Sequence, residues 1–83
     1  MIYKFEAEHI SRKTAVDLVH EFEAADYSVD CAGMDPVFSN QMYMCVTCDE
    51  ATAKVIRDRI WEVNNGASCE MHTITADQLE AML

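Results

Sequence analysis

Cys45-Val46-Thr47-Cys48 is the spacing in this chain from which a metal or redox reading would begin. A CxxC pair holds a metal when both thiolates converge from a loop. It does redox chemistry when its first cysteine opens a helix, where the dipole favours thiolate. Here Cys45 falls in a predicted strand and Cys48 at the start of the helix that follows. Strand residues three apart point to opposite faces, so only a turn at Thr47 would bring the two sulfurs together. The plainer reading is two small, ordinary buried residues, and no metal is assigned. His9, His20 and His72 share no ligand spacing with a cysteine or carboxylate. They are expected at a strand end, on the polar side of a helix and on an open sheet face, each solvated. Two glycines far apart make no phosphate loop. No Ser-His-Asp or Cys-His arrangement follows from the spacing, so the expectation is a non-catalytic protein with no cofactor.

The elements that would position these residues follow from apolar periodicity. Residues 2–8 alternate as a strand, with Tyr3, Phe5 and Ala7 on one face and Lys4, Glu6 and Glu8 on the other. Ser11 is placed to cap a helix reaching about residue 25, with Ala15, Leu18, Val19 and Phe22 as its buried stripe. Residues 27–32 read as a second strand with Tyr27, Val29 and Cys31 inward. Residues 33–40 read as a loop, punctuated by Gly33 and Asp35-Pro36. Residues 41–47 form a third strand, with Met42, Met44 and Val46 on one face and Tyr43 and Cys45 on the other. Thr47 and Glu50 have capping-box spacing, which starts a second helix near Cys48. Ala53, Ile56, Ile60 and Val63 are its stripe, and Gly66 its left-handed C′ residue. Residues 67–73 make a fourth strand, with Cys69 and Met71 inward. Thr75 and Gln78 cap a short last helix, Ala76–Met82.

This order, β-α-β-β-α-β plus a terminal helix, predicts one α+β domain over residues 1–83. Two β-α-β units facing the same way give a ferredoxin-like sandwich. Two helices then cover one face of a four-stranded antiparallel sheet whose central strands are the first and third. An α+β roll with another strand order is the alternative. The CxxC resembles the MxCxxC of ferredoxin-like metallochaperones, but Tyr43 stands where that motif has Met, and the motif precedes the second helix rather than the first. RNA-recognition domains share the topology and place stacking aromatics with basic neighbours on the central strands. Here those positions hold Lys4, Glu6, Glu8, Tyr43 and Cys45, which suits RNA poorly.

Charge is the stronger signal. The chain has 15 acids against 6 bases, a formal charge of −9. Direct nucleic-acid binding needs clustered Lys and Arg and is not expected, whereas a basic partner is compatible. Between residues 14 and 53 there is no Lys or Arg, and Asp17, Glu21, Glu23, Asp26, Asp30, Asp35, Asp49 and Glu50 all lie there. Glu21, Glu23 and Asp26 crowd the C-terminal part of the first helix while Arg12 and Lys13 occupy its first turn, both against the helix dipole. A sequence tuned for stability alone would reverse them, so a functional acidic surface is expected over simple solvation. Met34, Val37, Phe38, Val55 and Trp61 have no evident core position. Phe38 and Trp61 beside charge suit interface anchors. The plainer expectation is that Phe38 folds back over the sheet edge and that the terminal helix covers Trp61.

Residues 1–8 carry no apolar targeting core, and no run approaches the ~18 apolar residues of a membrane span. Cys31, Cys45, Cys48 and Cys69 are expected as free thiols of a reducing, cytoplasmic compartment. In size, acidity, a start at Met1 and missing catalytic groups, the chain resembles the small acidic inhibitors of host defence that phages encode, anti-CRISPR proteins among them, several of which are DNA mimics. The resemblance matches no motif and assigns no residue. It implies a protein-binding inhibitor or adaptor that occupies a basic, nucleic-acid-binding site on a partner protein. The charge pattern and the unplaced aromatics, not the resemblance, single out Asp17, Glu21, Glu23, Asp26, Asp30, Asp35, Phe38 and Trp61 as its binding surface. The alternatives are a small regulatory or ligand-binding domain that dimerises through its sheet, and a thiol or metal-handling protein using Cys45 and Cys48.

Overall fold

A computed structural model describes residues 1–38 and 40–83; Ser39, in the expected 33–40 loop, lies outside the described residues. Among the described residues the architecture is α+β, with three helices and a four-stranded antiparallel sheet. The elements run β1 (Ile2–Ala7), α1 (Arg12–Ala24), β2 (Ser28–Met34), β3 (Met42–Thr47), α2 (Glu50–Val63), β4 (Cys69–Ile74) and α3 (Ala76–Met82). The sheet order is β2-β3-β1-β4, with β1 and β3 central. Tyr3, Phe5 and Ala7 of β1 and Met42, Met44 and Val46 of β3 form one buried cluster with Ala15, Leu18 and Phe22 of α1 and Ala53, Ile56 and Ile60 of α2. The alternation of the strands and the stripes of the helices therefore meet on one sheet face.

Local signals set the helix ends. The Ser11 side chain accepts from the Thr14 N–H. Ile10 before it and Ala15 after it are both buried, which is the staple arrangement that fixes the chain's entry into a helix. At the far end Asp26 takes the left-handed C′ position, φ 63°. The Tyr27 and Asp26 N–H groups then donate to the Phe22 and Glu23 carbonyls at 3.1 and 3.0 Å. The Phe22 and Tyr27 rings meet at 6.0 Å, the apolar contact that accompanies this cap.

Four expectations change. The second helix is capped by Asp49, whose carboxylate accepts from Thr52 N–H at 2.8 Å, and not by Thr47. The cause is long-range: the Cys48 N–H donates to the Met1 carbonyl at 2.9 Å and carries the sheet one residue further. At the other end of α2 the left-handed C′ residue is Asn65, with Gly66 following at φ 78° and donating to the Trp61 carbonyl at 2.8 Å. The Asn64 side chain is buried there and donates to the Glu8 carbonyl at 2.7 Å, tying α2 to the end of β1.

Gly33 belongs to β2 rather than to a loop. Tyr43 lies opposite it, and a Cβ on Gly33 would fall 2.7 Å from the Tyr43 hydroxyl, so the ring occupies the space a side chain would need. Lastly, β2 is bulged. Val29 opposes Val46 but Cys31 opposes Cys45, so Asp30 is an inserted residue and the faces switch. Cys31 consequently lies with Cys45 on the second sheet face, while Val29 before the bulge and Met34 after it pack on the core.

Candidate acidic interface

The strand register divides the acidic residues between two ends of the sheet. Ile2, Ser28, Thr47 and Ile74 align at one end, and Ala7, Met34, Met42 and Cys69 at the other. The turn from α1 into β2 and the start of α2 both belong to the first end. Asp26, Asp30, Asp49 and Glu50 gather there, with Glu23 on the last turn of α1. Their field is felt on neighbouring groups. Burial first, then the Asp49 carboxylate, push the Cys48 thiol up, with Asp30 adding to the rise and the N-terminal ammonium opposing it. Tyr3 is raised by burial and then by Glu50, Cys48 and Asp49. Asp49 and Glu50 belong to the base-free stretch but not to the expected surface; their position beside Asp30 depends on the β2–β3 register, which leaves no mark in local sequence.

Several of the singled-out carboxylates are occupied within the chain. Asp17 pairs with Lys13 at 3.1 Å. Glu21 takes two hydrogen bonds of 2.8 Å from Arg59, first among the causes that hold its carboxyl below the usual range. Asp30 accepts from the Thr47 hydroxyl at 2.6 Å across the bulge. Asp35 accepts from the Phe38 and Val37 N–H groups at 2.9 and 2.8 Å, which closes the Pro36 turn and lowers its pKa. Asp49 is spent as a cap and Glu50 pairs with Lys54 at 3.5 Å. Among the described residues, no hydrogen bond or ion pair reaches the side chain of Glu23 or Asp26.

The apolar candidates sit elsewhere. Phe38 is 58% exposed and does not fold over the sheet edge, because the Asp35 turn holds its backbone out. Trp61 is 54% exposed and is not covered by the terminal helix. Its ring packs beside Gly66, in a recess with Arg57, Asp58, Glu62 and Cys69. The helix α3 lies instead on the second sheet face, where Met82 Sδ is 3.9 Å from Cys45 Sγ. Phe38 and Trp61 thus belong to the end of the sheet opposite Asp26, on its two different edges, and form no common patch with it.

The CxxC does not converge. Cys48 packs against the core between sheet and helices, while Cys45 is fully buried on the other face under α3. All four cysteines are free thiols. Among the described residues no three His, Cys, Asp or Glu side chains come together as a metal set. His9, His20 and His72 are exposed, and His72 stands 3.7 Å from Glu6. No helix of the described residues is long and apolar enough to cross a membrane. No protein-family model matches this chain, and no curated protein matches it.

Proposed function

We propose that this chain is a non-catalytic protein-binding domain of the inhibitor or adaptor type, presenting the acidic end of its sheet to a basic, nucleic-acid-binding site on a cytoplasmic partner protein. The mode of action is that of a DNA mimic, as in phage-encoded anti-CRISPR inhibitors, and the scaffold is read as a ferredoxin-like sandwich from its strand order.

Asp26 carries the proposal. It occupies a left-handed C′ position, where glycine or asparagine is the common choice. It also adds negative charge at the negative end of α1, which has no basic residue in its last turn. Both features work against stability, and no partner within the chain compensates them among the described residues. Strain kept at a surface position points to use. At the same end of the sheet lie Glu23, whose side chain is unclaimed among the described residues, and Asp30, Asp49 and Glu50, which are bonded within the chain. Duplex DNA carries about one charge per 1.7 Å of axis, and clustered carboxylates offer a basic groove charge of the same sign.

The experiment is capture from a cell lysate on the immobilised chain, with and without excess duplex DNA as competitor. The expected result is recovery of a nucleic-acid-binding protein that DNA and moderate salt both displace. A captured set indifferent to DNA, and equally well held by a Glu23→Gln/Asp26→Asn variant, would remove the proposal.

A further inference from the structure

On the sheet face away from α1 and α2, Cys31 and Cys45 stand directly opposite each other on β2 and β3. Met82 of α3 lies against Cys45, its Sδ 3.9 Å from Cys45 Sγ. The bulge at Asp30 is what turns Cys31 to this face, and bulges commonly re-aim a side chain beside a site. Opposed residues of an antiparallel pair have Cα atoms about 4.5–5.5 Å apart, which lets both thiols reach one point between the strands. Cys45 is wholly buried and Cys31 partly exposed, so access runs past Cys31 on the edge strand.

We propose that Cys31, Cys45 and Met82 form a binding site for one soft monovalent cation, Cu(I), held by two thiolates and a thioether. Thiolate and thioether sulfur suit soft ions, Cu(I), zinc and Fe–S clusters among them, and a set of only three sulfurs that includes a thioether matches Cu(I) rather than four-coordinate zinc. A trigonal ion with metal–sulfur bonds of about 2.3 Å sets its sulfurs about 4.0 Å apart. The Cys45–Met82 separation of 3.9 Å already has this value. Binding balances as follows: Cys31 and Cys45 each release an S–H proton to solvent, their thiolates form two Cu–S bonds, and Met82 donates a lone pair for the third. The copper stays monovalent and the site gains a net charge of −1. Lys4, opposite Cys45 on the other neighbouring strand, shares this face, with its ammonium 3.6 Å from a Glu6 carboxylate oxygen. Helix α3 has no fully buried residue, so Met82 can shift toward the ion at little packing cost. This site shares Cys45 with the CxxC but not Cys48, which packs on the other side of the sheet.

The test is an anaerobic titration of the reduced full chain with Cu(I), in competition with a chromogenic Cu(I) chelator. One Cu(I) per chain is expected to be withheld from the chelator, with three sulfur neighbours by X-ray absorption. Loss of a ligand should weaken binding at least as much as the roughly 10–100-fold typical of a lost outer-shell partner, so Cys31→Ser and Met82→Leu should both show it. These two alter an edge strand and a surface helix, and circular dichroism checks that they fold. Cys48→Ser and Cys69→Ser should bind as the wild type does. Failure of the wild type to withhold copper would overturn the proposal. So would unchanged affinity in Cys31→Ser and Met82→Leu, or a loss confined to Cys48→Ser.

Discussion

Arg59 of α2 grips Glu21 of α1 through Nε and Nη2, each donating to one carboxylate oxygen at 2.8 Å. The pair crosses between the two helices outside the core. It is bidentate, which favours it, and about two-fifths exposed on both sides, which lets solvent screen it. Glu21→Gln should therefore cost about 0.5–1 kcal/mol. The hydrogen bonds from Arg59 hold the Glu21 carboxyl below its usual pKa in the folded chain. A lowered folded value means that the contribution is present above the unfolded pKa and fades as the pH falls through the folded one. The urea midpoints of wild type and Glu21→Gln should differ at pH 7 and draw together as the pH falls below the ordinary glutamate value of about 4.3. A difference undiminished at pH 3 would show that the carboxylate charge is not what the variant removes.

Asp26→Gly should stabilise the chain by about 0.5–1 kcal/mol. It relieves the left-handed backbone and removes a negative charge from the helix C-terminus, and these gains exceed glycine's greater freedom in the unfolded chain. Asp26→Asn should give a smaller gain in the same direction. Thermal and urea unfolding measure both. A loss of stability in Asp26→Gly would mean the aspartate suits its position, and the main support for a functional acidic end would go with it.

The parts of this fold that depend on residues near in sequence were legible. Ser11 as cap, the Ala15, Leu18 and Phe22 stripe, and the Thr75–Gln78 capping box are local patterns, and each is present. What sequence hid depends on partners far along the chain. Thr47 and Glu50 have the local spacing of a capping box, yet Asp49 is the cap, because a hydrogen bond from Cys48 to Met1 extends the sheet past Thr47. The bulge at Asp30 inserts one residue into a short alternating run, which leaves every local preference intact yet moves Cys31 to the other face. The candidate site suffered the same way. The base-free stretch was visible in composition, but the commitment of Glu21 to Arg59 needed the packing of α1 on α2.

Gly33→Ala should destabilise the chain by roughly 1–3 kcal/mol, since the added methyl would fall 2.7 Å from the Tyr43 hydroxyl and 2.9 Å from its ring carbon. The ring must swing off the strand to make room. In a Tyr43→Ala background the same substitution should cost much less, because the space is then open. The coupling is read from a double-mutant cycle of urea unfolding. Additive costs would show that the ring does not hold that position over Gly33.

The acidic end makes its own prediction through the contrast between spent and unspent carboxylates. Asp17 and Glu21 already face Lys13 and Arg59, so a partner's bases would have to compete for them. Glu23 and Asp26 have no such claim on them among the described residues. Two charge-matched double variants separate these classes, Asp17→Asn/Glu21→Gln and Glu23→Gln/Asp26→Asn. Charge pairs at an interface rim act chiefly on association rate, and salt screens them over a Debye length of about 8 Å at physiological strength. With the protein that DNA displaces from the immobilised chain, the wild type should associate more slowly as salt rises. Glu23→Gln/Asp26→Asn should associate several-fold more slowly at low salt and show a flatter salt dependence. Asp17→Asn/Glu21→Gln should stay near the wild-type rate, although it is the less stable of the two. Stability and binding would then move in opposite directions across the pair, an outcome that simple solvation by acidic residues does not produce. Equal rates and equal salt slopes for both variants would make the acidity a matter of solubility. Binding would then rest on the exposed aromatics at the far end of the sheet, and Phe38→Ala or Trp61→Ala should raise the dissociation rate instead.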